Sequence, residues 1–66
     1  MNKIEKPLWA KWGIGQKVTK IKGSQWTGKV VGYYSTNLTY AGYAVESSTE
    51  VGSVQIYPEA ALMELE

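Results

Sequence analysis

An all-β fold is what this sequence predicts, and three observations carry the prediction. Val, Ile, Tyr, Trp and Thr, which suit a pleated and half-buried surface, are gathered in short runs. Gly, Ser, Asn or Pro punctuates the runs, so none sustains the apolar stripe of a long helix. The chain has only 66 residues, enough for one small domain built from several such runs.

Taken in order, residues 1–13 (MNKIEKPLWAKWG) mix Lys, Glu, Pro and two Trp without a clean period. They are read as a flexible leader ahead of a barrel domain over 14–66, since termini are often loose. The competing reading folds Leu8, Trp9 or Trp12 back onto the barrel or a neighbouring chain. Residues 16–21 form the first expected strand, with Val18 and Ile21 inward and Lys17, Thr19 and Lys22 towards solvent. Residues 22–25 make a turn. The longest strand pattern covers 26–35, where Gly28 and Gly32 point to a bend, a bulge or a close backbone approach. After a loop at 36–39, residues 40–47 form a strand with Tyr43 and Val45 on one face and Ala44 and Glu46 on the other.

Residues 52–58 (GSVQIYP) are the most informative strand. Period two puts Ser53, Gln55 and Tyr57 on one face and Val54 and Ile56 on the other. A surface strand more often offers Lys, Glu or Thr, whereas uncharged hydrogen-bonding groups suit a contact surface that partly excludes water. This face therefore meets a ligand or another chain. Gln55 in particular needs partners for its amide. Beyond Pro58, residues 59–61 suit a single helical or 3₁₀ turn with Pro at its start, and residues 62–65 close the chain as a strand. Five short strands with Gly-rich connections describe a small five-stranded SH3-like barrel.

Composition removes several chemistries. There is no Cys and no His, so disulfides, thiolate metal sites, the usual zinc constellations and Ser/His or Cys/His nucleophiles are all excluded. All acids are Glu and all bases Lys, which disfavours bidentate recognition of phosphates or bases. A net charge of +1 does not advertise nucleic-acid binding. No apolar run approaches the ~20 residues that span a membrane, and the N-terminus has no signal-peptide core. The cytoplasm is the expected compartment, and the Asn37-Leu38-Thr39 sequon is discounted. A core this small rarely supplies more than ~3–5 kcal/mol, so oligomerisation is the expected support.

From Gly15 onward the order of motifs resembles the type II dihydrofolate reductases, the trimethoprim-insensitive family unrelated to the chromosomal enzyme. The resemblance rests on GKVVGYY (28–34), TNLT (36–39), GYAVES (42–47), GSVQIYP (52–58) and Ala60-Ala61-Leu62, with Lys20 and Trp26 at matching spacings upstream. It implies a homotetramer with D2 symmetry around one central pore, where NADPH and dihydrofolate enter from opposite ends. Carried over, Val54, Gln55, Ile56 and Tyr57 line the pore, and Gln55, Ile56 and Tyr57 are the catalytic positions. Gln55 lies against the stacked nicotinamide and pteridine rings, and the Ile56 backbone bonds the nicotinamide carboxamide and the pteridine edge. Tyr57 and Ser53 contact cofactor phosphate or ribose. Lys20 sits at the pore mouth near cofactor phosphates or the glutamate tail of folate, and Trp26 belongs to a subunit interface. Two departures stand out: Glu50 occupies a loop position where the family often has His, and Tyr33 one where it commonly has Trp. The rival reading takes GQKVTKIKGSQWTGKVVGY as resembling the KOW-type barrels that bind RNA, or a barrel that binds a protein partner. The absence of Arg and the GSVQIYP match favour the reductase.

Overall fold

The computed structural model describes residues 5–23 and 26–65. Its regular elements are β1 (Lys17–Lys20), β2 (Thr27–Tyr34), β3 (Gly42–Ser47), β4 (Val54–Pro58), a 3₁₀ turn (Glu59–Ala61) and β5 (Leu62–Glu64). The strands form one antiparallel sheet in the order β4-β3-β2-β1-β5. The all-β expectation holds, with each strand inside or close to its expected range. The ladder itself stays open, so β4 and β5 are its two edges.

β2 is long because it serves both neighbours. Its start pairs with β1, and residues from Gly28 to Tyr34 pair with β3. The register shifts between Val30 and Gly32, which puts a bulge at that point and increases the local twist. Gly28 has a different role. A Cβ there would lie 1.9 Å from the carbonyl oxygen of Glu46, so the two strands meet at a distance no side chain permits.

The core holds Val18, Val30, Tyr43, Val45 and Leu62, joined by Ala10 and Trp12. Val18, Tyr43 and Val45 face inward as their period predicts. Ile21 does not: it lies just past the end of β1 and is 52% exposed. Ile21 stands an odd number of positions from Val18, so alternation along the strand already turns it to the opposite face.

The segment expected as a leader is packed from Trp9 onward. Trp12 is buried, its indole N–H donates to Glu64 Oε1 at 3.0 Å, and its carbonyl accepts from the Tyr33 hydroxyl at 2.9 Å. Trp9 stands edge-on to Tyr33 and Tyr43, with ring centroids 6.0 and 5.7 Å apart. The Lys11 N–H donates to the Tyr43 hydroxyl at 2.8 Å. The fold-back reading thus holds for Trp9 and Trp12 but not for Leu8, which is fully exposed. Trp9, Ala10 and Trp12, ahead of residue 14, pack with the core of the sheet. Large indoles bury more area per residue than any other side chain, and a sheet with three- and four-residue strands at one side needs that cover. Residues 1–4 of the expected leader, and Ser24 and Gln25 of the expected turn, lie outside the described residues. Among the described residues no helix is long and apolar enough to cross a membrane.

Candidate functional site

Gly52, at φ +87°, makes the left-handed turn that brings the chain into β4. The Ser53 carbonyl then accepts from the Ser47 N–H at 2.8 Å, and beyond the strand the Glu59 N–H donates to the Ala41 carbonyl at 2.8 Å. Between these two bonds the register pairs Val45 with Gln55 and Tyr43 with Tyr57. In an antiparallel ladder, residues two apart share the same hydrogen-bonding direction. Gln55 and Tyr57 therefore turn their backbone groups towards β3. Val54 and Ile56 turn theirs to the open edge, where the Ile56 N–H and C=O stand as an adjacent donor and acceptor.

The side chains divide the other way. Gln55 and Tyr57 lie opposite Val45 and Tyr43, hence on the core-side face of the sheet. Val54 and Ile56 lie with Ala44 and Glu46 on the outer face and are about half exposed, at 47% and 48%. The expected two-faced split of 53–57 is correct. The structure adds that the apolar pair, not the polar one, is turned away from the core.

Lys20, Trp26, Gln55 and Tyr57 come together. The Tyr57 hydroxyl donates to Gln55 Oε1 at 2.5 Å, Lys20 Nζ lies 5.2 Å from the Tyr57 ring centroid, and the Trp26 ring packs T-shaped on Tyr57 at 6.3 Å. The Lys20 N–H also donates to the Trp26 carbonyl at 3.1 Å. Lys20 is on β1 and Tyr57 on β4, three places apart in the sheet order, so the sheet curls strongly although its ladder stays open. Ser53 is half-buried at the entrance of the strand, its N–H bonded to the Glu50 carbonyl at 3.1 Å. Sequence reasoning placed Lys20, Ser53, Gln55 and Tyr57 at one site and Trp26 at a subunit interface. It missed the Tyr57–Gln55 bond and the Trp26–Tyr57 packing, for which the i, i+2 spacing of Gln55 and Tyr57 was the available signal.

This arrangement suits recognition more than acid–base chemistry. It offers an ammonium, an aromatic ring, a carboxamide and a free backbone donor–acceptor pair. Among the described residues no group of three His, Cys, Asp or Glu side chains could hold a metal ion. The site is also an edge, not a pocket. A nearby hollow lined by Lys11, Trp12, Leu38, Tyr40, Pro58 and Leu62 includes none of Gln55, Ile56 or Tyr57. A second surface has to close over β4 before a ligand there is shielded from water.

Fold and geometry together define a small all-β protein with an open sheet edge at β4, beside which a lysine, a tyrosine and a glutamine come together. The family described as R67 dihydrofolate reductase matches residues 2–66, and the chain belongs to that family of oxidoreductases. Two curated proteins from Escherichia coli, each named dihydrofolate reductase type 2, are 57% identical to it over 56 residues. That stretch is 85% of this chain and 72% of theirs.

Proposed function

We propose that the chain reduces dihydrofolate to tetrahydrofolate with NADPH, in the central pore of a D2 homotetramer of SH3-like barrels. The free edge of β4 carries this reading: Ile56 presents its backbone N–H and C=O outward, beside the Lys20–Tyr57–Gln55 cluster. A carboxamide and a pteridine edge each offer one donor next to one acceptor, which is the complement of that pair. The Lys20 ammonium suits the phosphates of the cofactor or the carboxylates of the folate tail. The residues present therefore fit a nicotinamide cofactor.

When bound, the nicotinamide supplies the hydride. The chain holds the two rings in register through the Ile56 backbone and the Gln55 amide, and Ser53, Val54 and Tyr57 extend the wall beside them. Orientation of this kind removes much of the entropic barrier to a bimolecular step. The cluster has no carboxylic acid or imidazole to act as a general acid, so the proton comes from solvent onto the pterin. Four copies of Lys20 around one pore give a focused positive field although each chain is close to neutral. The half-exposed Val54 and Ile56, and the open β4 edge, give assembly something to cover. The cytoplasm is the setting that suits this activity, and insensitivity to trimethoprim, hence resistance, is the expected phenotype.

The test is an NADPH oxidation assay beside sedimentation at several protein concentrations. Oxidation should require dihydrofolate, persist with trimethoprim, and fall per chain as dilution dissociates the assembly. No turnover at any concentration, with affinity for RNA that falls steeply with salt, would reverse the reading in favour of an RNA-binding barrel.

A further inference from the structure

We infer that Trp26 is a positioning residue for Gln55, acting through Tyr57. The inference rests on the proposed reductase reading for its kinetic arm only. Gln55 is exposed on an edge strand, and nothing in its own backbone fixes which way its amide points. The Tyr57 hydroxyl fixes it by donating to Oε1 at 2.5 Å, which engages the oxygen and leaves the amide N–H groups for a ligand. That bond requires the Tyr57 ring to be held in place. Lys20 Nζ lies 5.2 Å from the ring centroid, but a half-exposed ammonium on a long stem is a loose support.

Trp26 is the fixed one. Its ring meets Tyr57 at 6.3 Å and 62°, the attractive edge geometry of aromatic pairs. Its indole N–H donates to the Val45 carbonyl at 3.3 Å. Val45 is the cross-strand partner of Gln55, so Trp26 is tied to the rung of the ladder that carries the residue it orients. Trp26, just ahead of β2, is thus tied to both β3 and β4 behind the Gln55 amide. Trp26 acts here through the Tyr57 ring and not on a ligand directly. It decides whether the amide of Gln55 is presented with its nitrogen outward.

The first test is a double-mutant cycle of Trp26→Phe with Tyr57→Phe, assayed at concentrations where sedimentation shows full assembly. Trp26→Phe should lower kcat/KM by about tenfold, chiefly through KM for dihydrofolate. In the Tyr57→Phe background the same change should cost less than about threefold, because the hydroxyl through which Trp26 acts is gone. Losses that simply multiply would overturn the inference. The second test needs no turnover: the side-chain amide resonances of Gln55, assigned by their loss in Gln55→Glu, should shift in Trp26→Phe as they do in Tyr57→Phe. Trp26→Tyr, a milder change, gives the same reading if Trp26→Phe folds poorly. Unmoved Gln55 resonances in these variants refute the positioning role. Absence of turnover in the unaltered protein would refute the reductase reading alone.

Discussion

The hydroxyl of Tyr43, a wholly buried residue of β3, donates to the carboxylate of Glu59 in the 3₁₀ turn beyond β4. The same hydroxyl accepts from the backbone N–H of Lys11 at 2.8 Å. One atom in the core therefore joins three segments far apart in sequence: the N-terminal indole segment, β3 and the turn that follows β4. It acts beside the Glu59 N–H to Ala41 carbonyl bond that holds the far end of β4.

Tyr43→Phe should cost roughly 1–3 kcal/mol, because it strands the Lys11 N–H and the Glu59 carboxylate without their partner. Burial, reinforced by the hydrogen bond to Glu59, pushes the Tyr43 phenol up from 10.0 to about 12. A raised folded-state pKa gives stability that is intact below the unfolded value and lost above it. Urea midpoints should accordingly fall between pH 10 and 12 in the unaltered protein, and fall less steeply in Tyr43→Phe.

Trp12→Ala should cost about 3–5 kcal/mol, as large aromatic-to-alanine changes in cores do. A core of this size supplies no more than that by itself. An isolated chain carrying the change should therefore be unfolded by circular dichroism. Leu8→Ala, four residues away and fully exposed, should be indistinguishable from the unaltered chain.

Gly28→Ala should destabilise by roughly 1–3 kcal/mol, since the added methyl meets the Glu46 carbonyl, a backbone group that cannot swing aside as a side-chain end would. Gly32→Ala is the control. A Cβ there meets only the Ala44 methyl at 3.5 Å, an ordinary contact. Thermal melts of the pair should separate them clearly.

Lys20→Met should weaken NADPH binding and flatten its dependence on salt, because it removes the charge and keeps most of the stem over the Tyr57 ring. Calorimetric titration at two ionic strengths reads both effects. A salt response equal to that of the unaltered protein would place the cofactor phosphates away from Lys20.

The strands were legible in the sequence because their signal is local. Period two sets the inward faces of Val18, Tyr43 and Val45, and Pro58 places the start of the 3₁₀ turn. The shared face of Gln55 and Tyr57 on β4 was legible for the same reason, their spacing being i, i+2. Ile21 was misplaced because it stands three positions from Val18, and alternation along a strand turns such a pair to opposite faces.

Sequence alone determined the all-β class, the alternation along β4 and the exclusion of cysteine and histidine chemistry, since each follows from residue identity and spacing along a few positions. Tertiary structure decided three other things. It recruited Trp9 and Trp12 from an expected leader into the packed unit, turned the Ile56 backbone to an open edge, and set Lys20 and Trp26 of distant strands against one tyrosine ring. These are outcomes of long-range pairing and of the curl of the sheet. No spacing along the chain encodes them, because the distances that matter run across strands and not along them.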